Sequence, residues 1–220
     1  MNPPAPQADP ARPRLSARGI GHRIGERKLL HGLDLDVTVG TSLAVVGPSG
    51  TGKSTLLAIL GGLLAPAEGR VTIDHGHGRS VADSVSWVLQ TVNVLPDRTV
   101  LDNVALGALA DGADWNRARE LARPALERVG LATFADRPVR ALSGGEVQRT
   151  VIARALVSTR PFVLADEPTG QLDAATTTRV MDSLLATTAT RGLVVVTHDP
   201  TVAHRCTRTV RLTDGRLTHL

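Results

Sequence analysis

Gly47 and Gly52 bracket four residues, and Lys53-Ser54 follow. The stretch Gly47-Pro48-Ser49-Gly50-Thr51-Gly52-Lys53-Ser54-Thr55 therefore has the spacing G-x4-G-K-[ST]. A strand, loop and helix with this spacing form a phosphate cradle. The glycines let successive backbone N–H groups turn inward and make an anion-binding concavity. A helix starting at the loop's end adds the positive end of its dipole. Lys53 brings a point charge for the β- and γ-phosphates, and the Ser54 hydroxyl a Mg²⁺ ligand. The chain has two lysines in all, Lys28 and Lys53. Composition alone would produce this spacing with a chance of about 0.003.

Three further groups sit at the ends of apolar runs. Phe162-Val163-Leu164-Ala165 ends in Asp166-Glu167, Val85 to Leu89 ends in Gln90, and Leu193 to Thr197 ends in His198. Paired acids at a strand end are commonly a cap or a solvated loop. Beside a phosphate loop, Asp166 suits Mg²⁺, and Glu167 suits polarising a water in line with the γ-phosphate. Leu142-Ser143-Gly144-Gly145-Glu146-Val147-Gln148-Arg149 places a hydroxyl and bare amides before a helix. That is a second anion site. Two phosphate sites and one nucleotide-sized cleft predict a dimer, with Ser143 of one copy capping the γ-phosphate held by the other. His75 and His77 lack a third ligand nearby and read as a solvated hairpin tip rather than a metal site.

The elements that must position these groups follow from the apolar pattern. The four runs, counting Leu43 to Val46, are nearly all apolar, as parallel strands covered on both faces must be. Ligands bind outside the carboxyl ends of such strands, so the four ends should converge. Leu33, Leu35, Val37 and Val39 alternate with Asp34, Asp36 and Thr38. That period of two predicts antiparallel strand over about 15–39, with Val71 to Ile73 in the same layer. Val210 and Leu212, Asp214-Gly215 and then Leu217 predict a C-terminal hairpin.

Helices are expected over Lys53–Leu60 (stopped by Gly61-Gly62), from Asp173 to near Gly192, and from Asp199-Pro200 through Cys206. Between them lies a helical insert. Thr99 to Asp102 resembles a capping box, and Asp114 opens a helix ending at Gly130, with a kink or break expected at Pro124. The expected organisation is a disordered Pro/Ala/Arg tail over 1–14 and an α/β domain over 15–220. That domain has a mostly parallel sheet, an antiparallel β layer and a helical subdomain at about 98–141.

At 220 residues and 42% hydrophobic composition the chain is an ordinary globular one. Its net charge of +4 comes from scattered arginines with few aromatics, so no nucleic-acid partner is expected. A single cysteine, Cys206, excludes an internal disulfide and reads as a small buried hydrophobe. No apolar run approaches the roughly 20 residues of a membrane span. The N-terminus lacks the apolar core of a signal peptide, so a cytoplasmic chain is expected.

The stretches GPSGTGKST, Gln90, LSGGEVQR, VLADEPTGQLD and VVVTHD, in this order, resemble the nucleotide-binding subunit of an ATP-binding-cassette (ABC) transporter. The resemblance covers essentially everything after the tail. It implies a P-loop NTPase core that binds ATP and Mg²⁺, with nucleotide contacts from Gly47 to Thr55. Mg²⁺ would be held by Ser54, Gln90 and Asp166. Glu167 would be the general base, Gln90 would report to the membrane subunit, and His198 would switch on the γ-phosphate. Ser143, Gly144, Gly145 and Glu146 would form the signature loop acting across the dimer, and Asp173 would be the D-loop residue. The partners implied are a second cassette, the same or different, and integral membrane permease subunits that hold the chain at the inner face of the membrane.

LADEPTG-x-LD and the compact length are similar to the macrolide-export, lipoprotein-release and antimicrobial-peptide-resistance branch. The alternative is a non-transport ABC ATPase powering a regulatory or assembly complex. A P-loop kinase would instead bring an acceptor lid and lack the Ser-Gly-Gly turn. The family's adenine-stacking aromatic would fall on Ile24, with His22 the nearest flat ring. The segment from Arg79 to Val85 is short for the branch, and Gln90-Thr91-Val92-Asn93 lacks the usual Phe. Weaker adenine discrimination and a raised KM for ATP are expected.

Overall fold

The computed structural model describes residues 12–74, 78, 80–90 and 93–220. Most of the expected tail, the His75 and His77 tip, and Thr91-Val92 lie outside the described residues.

Strands β1 (Arg14–Ile24), β2 (Arg27–Thr38) and β4 (Glu68–Asp74) form an antiparallel sheet in the order β2-β1-β4. β3 (Ser42–Val46), β5 (Val85–Val88), β6 (Phe162–Asp166), β7 (Gly192–Val196), β8 (Arg208–Thr213) and β9 (Arg216–His219) form a second sheet, ordered β5-β6-β7-β3-β8-β9. Its first five strands are parallel. The four apolar runs are thus adjacent strands, as the sequence predicts. The C-terminal hairpin β8–β9 forms as expected. It joins the edge of the parallel sheet rather than the antiparallel layer, because β8 pairs in parallel with β3.

Alternate residues of the central strands enter two cores. Phe162, Leu164, Val194 and Val196 pack with α1 (Lys53–Leu60) and the antiparallel sheet. Val163, Ala165, Leu193 and Val195 pack with α2 (Val100–Leu109), α3 (Trp115–Arg128), α4 (Gly144–Val157) and α5 (Ala174–Ala186). Strands buried on both faces must be apolar at nearly every position, which accounts for runs broken only by the buried Ser86 and Thr197. Phe162 is fully buried, worth about 1.5–3 kcal/mol.

Helix starts follow their caps. Thr99 accepts from the Asp102 amide, Asp114 from Arg117 and Asp173 from Thr176. α3 runs without a break through Pro124. α5 ends at Ala186, short of Gly192, and α6 (Pro200–His204) stops before Cys206. Cys206 is half-buried against the core, and burial pushes its thiol pKa up to about 11. This fits a packing residue. No described helix is long and apolar enough to cross a membrane.

Candidate active site

The phosphate loop links β3 to α1. Gly47, Gly50 and Gly52 all take positive φ, at 153°, 74° and 98°. At Gly47 a Cβ would also collide with the Leu212 carbonyl of β8, so this turn needs glycine on two counts. Gly50 has open space beside it. Gly52 is the N-cap of α1, with no side-chain hydrogen bond and no acidic residue in the first turn. The helix therefore presents its amides and positive end without internal compensation, which suits an anion. Lys53, 9% exposed, donates from Nζ to the Gly47 and Pro48 carbonyls, each at 2.8 Å. The loop thereby holds the ammonium within itself.

A cavity of about 500 Å³ opens beside this loop. Ser49, Gly50, Lys53 and Ser54 line it with Gln90, Asp166, Glu167 and His198. Four parallel strand ends thus meet at one crevice. Gln148 of α4 and Gln171 also line it. Neither stood out in the sequence beyond its place in the LSGGEVQR and TGQLD stretches. A larger cavity of about 1020 Å³ lies on the far side of His198, between the loop's Gly47-Pro48 and β8–β9.

Asp166 and Glu167 behave differently although they are neighbours. Asp166 is 7% exposed, and its Oδ1 is buried with no hydrogen-bond partner. Burial raises its pKa. The Ser54 hydroxyl opposes that rise, Glu167 adds to it, and Lys53 opposes it. An orphaned buried carboxylate oxygen beside a hydroxyl fits a hard divalent cation. Among the described residues no cluster of three His, Cys, Asp or Glu exists, so such an ion would need phosphate and water oxygens as well, as Mg²⁺ does.

Glu167 sits at φ 46°, in the left-handed region, with its amide donating to the Val196 carbonyl at 2.9 Å. A non-glycine residue there costs about 1–3 kcal/mol, so the neighbouring strand holds it in place. His198 Nδ1 lies 2.9 Å from Glu167 Oε1.

The Ser143 turn does not line this cavity. Ser143 caps α4 in a reciprocal box: Glu146 Oε2 accepts from the Ser143 amide at 2.7 Å and its hydroxyl at 2.8 Å. These bonds lower the Glu146 pKa. No residue from Ser143 to Glu146 lines the phosphate-loop cavity. The turn sits against Gln171, whose Oε1 would lie 3.0 Å from a Cβ on Gly144. Asp173 likewise stays outside, accepting from the Thr176 amide and hydroxyl at 2.9 Å each, which lowers its pKa. Ile24 is 60% exposed at the end of β1.

A family model described as ABC transporter matches residues 30–170. The chain is 42% identical over 221 residues to the lipoprotein-releasing system ATP-binding protein LolD 2 of Rhodospirillum rubrum, covering 93% of this chain and 96% of that one. It is 38% identical to the macrolide export ATP-binding/permease protein MacB 1/2 of Paracoccus denitrificans, covering 96% of this chain and 34% of that protein. Among solved structures, a dimeric ATP-binding cassette in a post-hydrolysis state with ADP and Pi superposes with a TM-score of 0.84. It is 33% identical and covers 94% of this chain and 97% of that one. With a glutamine, a carboxylate pair, a histidine and a phosphate loop at four adjacent strand ends, the chain belongs to the ABC transporter family, as an ATPase cassette of its lipoprotein-release and macrolide-export branch.

Proposed function

We propose that this chain hydrolyses ATP in a sandwich of two cassettes and drives a separate integral membrane permease. The observation that carries the two-copy reading is that no residue from Ser143 to Glu146 lines the phosphate-loop cavity of its own chain. One chain supplies half of each site. Gly47 to Thr55 of one copy hold the nucleotide phosphates, with Lys53 leaving its own loop's carbonyls to meet them. Ser54, Asp166 and Gln90 hold Mg²⁺, which when bound neutralises charge on the phosphates. Glu167 takes the proton of the attacking water as general base. His198 orients that carboxylate and meets the γ-phosphate. Ser143, Gly144, Gly145 and Glu146 close the site from the second copy, with Asp173 at the seam between copies.

The dimeric relative and the LolD and MacB relatives support this reading. The chain spans only about a third of the MacB protein, whose name joins ATP-binding and permease functions. The permease reading rests on the family membership, with the cassette at the inner face of the membrane. Residues 15–220 make the cassette in this reading, with a helical subdomain over about 98–141, although β1 already starts at Arg14, one residue inside the expected tail.

Glu167→Gln tests the chemistry. It should cut turnover by about 10²–10⁴ while ATP still binds, and ATP should then hold the variant as a dimer. Parent-like turnover would refute the role of Glu167. Detergent co-purification with mass spectrometry tests the permease. Recovery of no integral membrane protein favours the non-transport reading.

A further inference from the structure

Arg154 of α4 is a partly buried guanidinium with no carboxylate within ion-pair distance among the described residues. Burial lowers its pKa, but a guanidinium stays charged in any protein. Its charge is met by three neutral oxygens. Nε donates to the Asn103 carbonyl at 2.8 Å, one terminal nitrogen to Asn103 Oδ1 at 3.1 Å, and the other to the Asn93 carbonyl at 2.6 Å. Withdrawing a cation from water without a counter-charge is costly, so this arrangement does more than fill space.

Asn103, fully buried in α2, spends its remaining capacity on the same segment. Its Oδ1 accepts from the Leu95 amide at 2.7 Å, and its Nδ2 donates to the Leu95 and Thr99 carbonyls at 2.9 Å each. Residues 93–103 are thereby fastened to α4 near both ends. One turn further along α2, Gly107 lies so close to the Arg154 carbonyl that a Cβ would collide with it. That contact fixes α2 against α4. The fastened segment begins three residues after Gln90, and α4 begins at the Ser143 turn.

We propose that Arg154 is a positioning residue that makes the segment leaving Gln90 and the helix opening at Ser143 move as one piece. The Gln90 side of a copy's own site and the turn it lends to its partner are then placed together. This rests on the two-copy reading above. α4 packs on the face of the sheet opposite α1, and Arg154 does not line the phosphate-loop cavity, so it has no direct part in holding nucleotide.

The test compares Arg154→Gln and Arg154→Lys with Asp111→Asn. Asp111 holds Ser158 and Arg160 at the far end of the α2–α4 pairing, so its loss weakens the same region without freeing residues 93–103. Turnover per folded molecule, ATP affinity by a fluorescent ATP analogue and thermal midpoint are measured for each. Arg154→Gln should bind ATP within about twofold of the parent yet lose about tenfold or more in kcat, the scale expected when reacting groups are displaced. Arg154→Lys, able to keep one of three bonds, should fall between, and it carries the comparison if the Gln variant does not fold. Asp111→Asn should lose stability and keep its kcat per folded molecule. Equal kcat in the Arg154 and Asp111 variants would overturn the proposal, as would parallel loss of affinity and kcat. ATP should also hold Arg154→Gln less well as a dimer in a Glu167→Gln background. If Glu167→Gln alone forms no dimer with ATP, the two-copy reading fails, while the kcat comparison still decides the role of Arg154.

Discussion

His198 Nδ1 and Glu167 Oε1 lie 2.9 Å apart, although the two residues come from the ends of different strands. Glu167 is 14% exposed at its side chain and His198 74%. The histidine covers the carboxylate from the solvent side, while backbone strain at φ 46° aims it. His198→Ala should therefore reduce kcat by about 10²-fold with ATP affinity little changed, because the phosphate loop is untouched. Steady-state turnover beside equilibrium ATP binding checks this. A matched fall in affinity would place His198 in ground-state binding instead.

The base of the nucleotide should have a weaker hold than its phosphates. Ile24 is exposed where the family pattern puts an aromatic ring. Base stacking on an aromatic is worth about 1–3 kcal/mol in nucleic-acid sites. Ile24→Tyr should lower KM for ATP by about 5- to 150-fold, the factor equivalent to that energy, and leave kcat unchanged. ATP titration of both proteins decides it, and no tightening would remove Ile24 from the adenine site.

Acid stability should depend on Asp111. Burial pushes its pKa up, but the Thr159 amide, the Ser158 hydroxyl and Arg160 pull it further down, so the folded value is lowered. A carboxyl whose folded pKa lies below its unfolded value of about 3.9 stabilises the fold above that value. That stability is lost as pH falls through the folded pKa. The parent should thus lose thermal stability below about pH 4. Asp111→Asn should be about 1–3 kcal/mol less stable at neutral pH and should have a flatter acid limb. Parallel melting curves across pH 5 to 3 would contradict the assignment.

Much of the site was legible because chemistry dictates spacing. A phosphate cradle needs Gly47, Gly52 and Lys53 in one short loop, and a strand covered on both faces must be apolar throughout. The order Leu43, Val85, Phe162, Leu193 could therefore be read as one sheet. Pairing partners were less legible. The alternation at Val210 and Leu212 marks a strand but carries no record of which sheet edge it joins. A kink or a break is expected at Pro124, and the break does not occur: α3 runs on, with Ala118, Ala122, Ala125 and Leu126 buried in the core. Long-range polar ties such as Arg154 to Asn93 span 61 residues and leave no local pattern. Gln148 and Gln171 reach the cavity only because α4 and the loop after β6 converge there.

If each catalytic site is shared by two copies, mixing two inactive variants should restore activity. Lys53→Ala removes the phosphate-loop charge, and Ser143→Arg blocks the turn lent to the partner. Each alone should have almost no ATPase activity. In an equimolar mixture, half of the dimers pair the two variants, and one of their two sites is then intact. Turnover per chain should recover to about a quarter of the parent value. A mixture no more active than the separate variants, or a Ser143→Arg protein that turns over like the parent, would mean that the two copies do not share their sites.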